Sequence, residues 1–389
     1  MLNRILKKTN GFTLIELLIV LVIFSVVIMV TSNIFNVLLP KAKSLAKSET
    51  SSTQGIIGLE MLRSDLEKTG FGLFTGVDTP PPTYGEALNT PASDYNDAPN
   101  GIPRAITAGN DLTSGVLSGT DYLVIKATNV AVNPASQCWT VVNGATTSKI
   151  WGGSDLKESR NDRAVVVTQT YNNNEVFRKL VYNAAAPVNN TIAYKANAVY
   201  ASPFAPYTSN MQYYYYGLDS TSTTRTPYNR TDYLVKRVSG DVPDKCSPAA
   251  GVLYKAVLNQ SDGSMQDIPV LDCVADMQVV FGWNTGSDVS NDAVDTYTNA
   301  DGTSPGGLSV ATQPLTDPKI IRTRLKLIKV YILAQDGGFD KNFTNTNTAM
   351  VIGETGETGS TKSVNLTLTD YRNYRWKLYR LAVRPKNLL

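Results

Sequence analysis

From Phe12 to Val30 the chain is apolar at every position except Thr13, Glu16 and Ser25. At ~1.5 Å per residue a helix of this length nearly spans a bilayer core of ~30 Å. Beyond it the pattern changes but keeps a helical period: Leu45, Ile56, Leu59, Leu62 and Leu66 recur at three- and four-residue multiples, with Lys, Ser, Glu and Asp between them. Gly70-Phe71-Gly72 is a C-terminal stop signal. The spacing predicts one helix over Phe12–Thr69, roughly 85 Å long at ~1.5 Å per residue. Pro40 either kinks that rod or divides it, making 41–69 a second helix. Gly55 and Gly58 are expected to weaken its lower half.

After Gly72 the period falls to two. Thr75–Thr120 reads as a long loop punctuated by Pro80-Pro81-Pro82, Pro91, Pro99 and Pro103. Strands are predicted at 121–127, 164–170, 176–182, 211–216, 233–238, 252–258, 277–283, 320–334 and 374–383. In the last of these Tyr374, Trp376 and Leu378 alternate with Arg375 and Lys377, as expected of an antiparallel sheet with one face on the N-terminal helix. Further exposed loops are expected over 184–229 and 285–307, and there is no internal repeat. The fold class is therefore α+β. Its expected parts are a leader over 1–11, a membrane half of the helix over 12–39, an amphipathic half over 40–70 and a β-rich head over 71–389. A head of roughly 320 residues calls for insertions or a second sheet.

Chemistry enters mainly by exclusion. The chain has no histidine and only three cysteines, Cys138, Cys246 and Cys273. That removes His-based acid–base catalysis, Ser-His-Asp and Cys-His nucleophiles, and zinc sites needing His or four Cys. Neither a phosphate-binding loop nor a dinucleotide-binding turn occurs. The reading is non-enzymatic, without cofactors. There are 36 basic and 33 acidic side chains; without Arg4, Lys7 and Lys8 of the leader the balance is neutral, so no specific nucleic-acid binding is expected. Lys319–Leu389 does carry thirteen basic residues against five acids, which charges that keep sheet edges soluble account for. Glu16 is the anomaly. An acid inside a membrane segment costs roughly 2.5–3.5 kcal/mol on insertion scales, which marks a function.

The basic leader, Gly11-Phe12 and the apolar segment with its single acid resemble the signal of type IV prepilins. That resemblance implies cleavage between Gly11 and Phe12, N-methylation of Phe12, and a role for Glu16 in filament assembly, pairing with the new Phe12 ammonium of a neighbouring subunit. It also implies a cytoplasmic N-terminus before processing, a periplasmic head anchored in a bacterial inner membrane, and later residence in a pilus. Leu59–Phe74, Gly251–Trp283 and Tyr374–Leu388 are similar to corresponding segments of minor pilins of the PilW type, which are related to J-type pseudopilins of type II secretion. The fold implied is pilin-like. The function implied is a minor subunit that primes assembly of a type IV pilus and sits at or near its tip. Its partners would be other minor pilins, the major pilin, the prepilin peptidase/methyltransferase, the inner-membrane assembly platform and a tip adhesin. A J-type pseudopilin and a membrane-tethered adhesive domain are the alternatives.

Cys246 and Cys273 each stand just ahead of a predicted strand, so a bridge between neighbouring strand starts is expected, with Cys138 left over. Three thiols, or a bridge to Cys138, are the other arrangements. Asp288, Asn291, Asp292 and Asp295 could offer oxygens to Ca²⁺, but they lack the spacing of an EF-hand loop, and a solvated acidic loop is the favoured reading. The run Tyr213–Tyr216 reads as a tyrosine-rich strand.

Overall fold

The computed structural model describes residues 13–143, 147–150, 162–172, 175–183, 191–194, 202–205, 211–220, 224–302, 314–354, 357 and 362–388. The cleavage site Gly11–Phe12 and parts of the expected 184–229 loop lie outside them. Two compact units, Met1–Thr50 and Ser51–Leu389, divide the chain. Helix α1, Leu14–Lys68, begins in the first and ends in the second, and its backbone stays helical through Pro40. Gly70 takes φ 80° just past its end, the left-handed geometry that a helix stop requires of glycine.

The strands are β1 (Ile106–Leu112), β2 (Thr120–Ala127), β3 (Trp139–Asn143), β4 (Thr147–Ile150), β5 (Arg163–Asn172) and β6 (Glu175–Val181). Then come β7 (Ile192–Ala193), β8 (Gln212–Asp219), β9 (Asn229–Lys236), β10 (Gly251–Leu258), β11 (Met265–Trp283) and β12 (Thr296–Thr298). A short helix, α2 (Pro318–Arg324), precedes the last four strands, β13 (Leu325–Asp336), β14 (Ala349–Ile352), β15 (Lys362–Asn365) and β16 (Arg375–Val383), and another, α3 (Thr369–Arg372), stands before the last. The main sheet runs β1-β2-β9-β10-β11-β13-β16 with β12 beside β11, and every pair in it is antiparallel. A second sheet, β4-β3-β8-β5-β6 with β7 on β5, is inserted between β2 and β9, which are direct neighbours in the main sheet. The chain leaves the main sheet, builds the smaller one and returns to the adjacent position.

One face of the main sheet carries the principal core. Leu59, Leu62 and Leu66 of α1 pack there with Leu123, Ile125, Tyr233, Val235, Leu253, Leu271 and Val330, and the core continues into Val165, Val167 and Leu180 of the second sheet. The opposite face is covered too. Tyr122, Val124, Leu234, Val252 and Tyr254 form one cluster there; Val280, Tyr331, Leu333 and Ile352 form another under the β14–β15 hairpin. Burial on both faces explains why β2 and β10 are buried at every position.

Several expectations are corrected. Residues 320–324 belong to α2, where Asp317 caps the helix by accepting from the Lys319 N–H at 2.7 Å and Pro318 opens it; the strand starts at Leu325. Trp376 and Leu378 do not face α1 but join the cluster under the hairpin, while Tyr379 packs against the principal core. The 75–120 segment contains β1, and the 285–307 segment contains β12, whose Thr298 accepts a hydrogen bond from the buried Trp283 indole at 2.9 Å. Thr226, expected in an exposed loop, is buried against Gln260. Gly55 and Gly58 are contact points. A Cβ on Gly58 would stand 2.2 Å from the Val270 carbonyl oxygen and one on Gly55 3.2 Å from the Tyr379 hydroxyl, so α1 meets β11 backbone to backbone.

Candidate functional site

The first candidate lies at the start of α1. Thr13 precedes the helix and Glu16 is in its first turn; the Thr13 N–H and Oγ1 both donate to Glu16 Oε2 at 3.2 Å, and the Glu16 N–H donates back to Thr13 Oγ1 at 3.3 Å. This reciprocal Thr-x-x-Glu pattern satisfies helix-start donors that have no partner within the helix. No hydrogen bond reaches Glu16 Oε1 among the described residues. Ser25 and Thr31 return their hydroxyls to the carbonyls of Val22 and Val27 at 2.8 and 2.7 Å, so these two donors are met within the helix. Leu14–Ser32 is long and apolar enough to cross a membrane, and its side chains are exposed throughout. Pro40 lies within α1, with its flanking backbone helical.

The second functional feature is the seat of α1 on the head. Asp65 is buried and its Oδ2 accepts from the Tyr233 hydroxyl at 2.7 Å and from Lys255 Nζ at 2.5 Å. Burial first, then the Asp65 carboxylate, pushes the Tyr233 hydroxyl far above its ordinary pKa. At the helix end Lys386 Nζ pairs with Glu67 at 2.5 Å, Asn387 donates to the Glu67 carbonyl at 3.0 Å, and the Gly70 N–H bonds the Lys126 carbonyl at 3.1 Å.

A larger buried network pins residues 86–97 across β2 and β9. Lys126 Nζ contacts Glu86 at 2.9 Å and Asp97 at 2.7 Å, while Arg230 contacts Glu86 at 2.9 Å and Asp232 at 2.8 Å. Arg104 closes on Asp97, and Tyr228 donates to Glu86 at 2.7 Å. Three acids and three bases neutralise one another, which lets a full set of charges lie below the surface. Burial pulls the Lys126 ammonium down to about 8 against the opposing pull of Glu86. Asp121 on β2 goes the other way: burial raises it to about 7, although the Asp111 and Val279 N–H groups donate to it at 2.8 and 2.7 Å. None of these groups was singled out from the sequence. The signal was there, since Lys126, Arg230 and Lys255 interrupt strands that are otherwise built to be buried.

Cys246 and Cys273 form a disulfide, with Cα atoms 5.0 Å apart across a sequence separation of 27. Cys273 lies inside β11 rather than ahead of it, at φ 55° beside a shift in the β10–β11 register. Cys138 is half-buried, with its Sγ 3.4 Å from the Pro134 carbonyl oxygen. The acidic loop uses its oxygens internally: Asp288 accepts from Ser290, Asp295 from Thr285 and Gly286, and Asn291 from Asn284 and Ala293. Asp292 pairs with Arg384 at 3.3 Å. Among the described residues no three His, Cys, Asp or Glu side chains converge as a metal site.

Neither a curated protein nor a solved structure is similar to this chain. Residues 6–32 match the family model described as the prokaryotic N-terminal methylation motif, and that motif, on the one helix able to cross a membrane among the described residues, indicates a membrane-anchored type IV pilin or pseudopilin.

Proposed function

We propose that this chain is a minor subunit of a type IV pilus, of the PilW type, that primes assembly at the inner membrane and stays at or near the filament tip in a non-enzymatic role. The observation that carries the reading is the methylation motif over 6–32 on a helix whose far end is built into a large β-rich head. A plain anchor needs only an apolar span and a linker. Here the helix runs on to Lys68, and Leu59, Leu62 and Leu66 are core residues of the head. The size of the head suits a terminal position better than a repeated one along a thin fibre.

In this reading the peptidase cuts at Gly11–Phe12 and the methyltransferase modifies Phe12. The Phe12 ammonium of an incoming subunit then meets a neighbour's Glu16, one of whose oxygens is already committed to its own helix start. Pairing the two in a low-dielectric setting relieves both desolvation penalties and fixes the stagger between subunits. Other minor pilins, the major pilin, the assembly platform and a tip adhesin are the partners implied. Intact-mass and N-terminal peptide analysis of membrane fractions tests the reading: loss of Met1–Gly11 and a methyl group on Phe12 are expected. Retention of Met1, or a cut after Val30, overturns it.

A further inference from the structure

Beside the end of α1 lies a cleft of about 410 Å³, within the range of small-ligand sites. Its floor is apolar: Leu73, Phe74 and Leu388 are buried side chains that reach it, with Phe177 on the wall. The residue after Phe177 is Arg178, on β6 at the edge of the second sheet. Its backbone is held rigidly, its N–H donating to Thr75 Oγ1 at 3.0 Å and its carbonyl accepting from the Thr75 and Gly76 N–H groups at 2.7 and 3.2 Å.

The Arg178 side chain differs from those of Arg230 and Arg104. Arg230 and Arg104, also withdrawn from solvent, each close on carboxylates. No ion pair or side-chain hydrogen bond engages the Arg178 guanidinium among the described residues, and burial, partly offset by Tyr216, lowers its pKa from the ordinary arginine value. An arginine in such a position keeps its charge, so its desolvation stays only partly offset until an anion arrives. The acid on the cleft wall, Asp317, is exposed and turned to its own helix, accepting the Lys319 N–H. Lys319 and Arg322 also line the cleft.

From this geometry we infer that the cleft binds the C-terminal carboxylate of a polypeptide ending in an apolar residue, with Arg178 gripping the carboxylate and Leu73 and Phe74, on the same side of β6 as Arg178, receiving the last side chain. A planar guanidinium matches a carboxylate in a two-point fork. The apolar floor next to it asks for a hydrocarbon group on the same ligand, and a sugar carboxylate, polar all round, would leave its hydroxyls against Leu73 and Phe74. The cleft has room for about one or two residues, which fits a chain end rather than a continuous strand. The site stands independently of the filament reading.

The test uses the full-length protein in detergent micelles. Acetyl-Gly-Leu is titrated by calorimetry or saturation-transfer NMR beside acetyl-Gly-Leu-amide, glucuronate and hexanoate. The free-acid peptide is expected to bind at least tenfold more tightly than its amide and at least fivefold more tightly than the other two carboxylates. Arg178→Gln is expected to remove that preference for the acid over the amide. In the wild-type protein the acid peptide is also expected to protect Arg178 from phenylglyoxal, read by peptide mass spectrometry, so the idea stays testable if the variant does not fold. Equal binding of acid and amide, or Arg178 labelling that the peptide leaves unchanged, overturns the site. Glucuronate or hexanoate competing as well as the peptide overturns the chain-end assignment in favour of a sugar or a free fatty carboxylate.

Discussion

Asp65 and Glu16 are two acids on one helix held in opposite ways. Asp65 is buried with two donors on its Oδ2, whereas Glu16 is exposed and shares one oxygen with Thr13. Removing one partner of a buried pair leaves the other charge stranded, so Asp65→Asn or Lys255→Met is each expected to cost about 3–5 kcal/mol. The double variant is expected to be less damaging than the sum, because neither charge remains. Urea unfolding of the four proteins in one detergent checks this; simple additivity would mean the contact contributes nothing of its own. Asp121 gives the pH dependence. Its folded-state pKa is raised by burial to about 7, so folding takes up a proton between about pH 4 and 7. The stability this group contributes is complete below about pH 4 and is lost as pH rises through 7, by about 4 kcal/mol at about 1.36 kcal/mol per unit. Asp121→Asn is expected to flatten that part of the stability–pH curve, and an unchanged slope would count against a protonated Asp121. Glu16 was legible in the sequence because an acid in an apolar run is visible without a fold. Asp65 was not, since its partners Tyr233 and Lys255 lie more than 160 residues away along the chain.

Elements were legible to the extent that one period governed them. The membrane segment, the leucine stripe and the helix stop at Gly70 depend on neighbours within a few turns, and the structure places α1 within two residues of the expected bounds. Long apolar strands such as β2 and β10 were found because both their faces are buried. The misses have physical causes as well. Strand β1 reads Ile-Thr-Ala-Gly-Asn-Asp-Leu and is specified by its pairing with β2 rather than by its own propensity. Five residues of α2 were taken into a strand because Ile320 and Ile321 look β-like, although the Asp317-Pro318 cap was present. Gly58 shows tertiary contact reversing a local rule. On an exposed helix Gly→Ala gains up to about 1 kcal/mol. Here the added methyl meets the Val270 carbonyl oxygen at 2.2 Å and must push α1 off β11. Gly58→Ala is therefore expected to destabilise by about 1–3 kcal/mol, and Gly55→Ala, which meets only the ends of the Tyr379 and Leu271 side chains, by less. Thermal unfolding of both variants checks the order; a Gly58→Ala protein as stable as wild type would mean that the helix stands away from the sheet.

At the scale of the whole molecule, the question is whether the helix serves its own head alone. The face of α1 that carries Leu59, Leu62 and Leu66 is consumed by the core, but Ile56 and Ile57 remain 63% and 65% exposed on the same stretch, with Met61 at 36%. Helices that only support a sheet place polar side chains on the outer face. In the filament reading these isoleucines are the surface that meets neighbouring subunits. Ile56→Gln with Ile57→Gln should leave the unfolding temperature within about 2 °C of wild type, because neither side chain is packed, consistent with surface changes of about 0.5 kcal/mol or less. Membrane insertion and processing should also persist, since residues 6–32 are untouched. What should change is the ratio of subunit in sheared fibres to subunit in the membrane, falling severalfold. Glu16→Val should lower the same ratio by a separate route, as it removes the carboxylate that would meet a neighbour's Phe12 ammonium. Both variants together should be no better incorporated than the weaker one. If the isoleucine variant is stable, processed and recovered in fibres at the wild-type ratio, the outer face of α1 has no part in assembly. If the wild-type protein itself never enters sheared fibres, the tethered-domain reading wins.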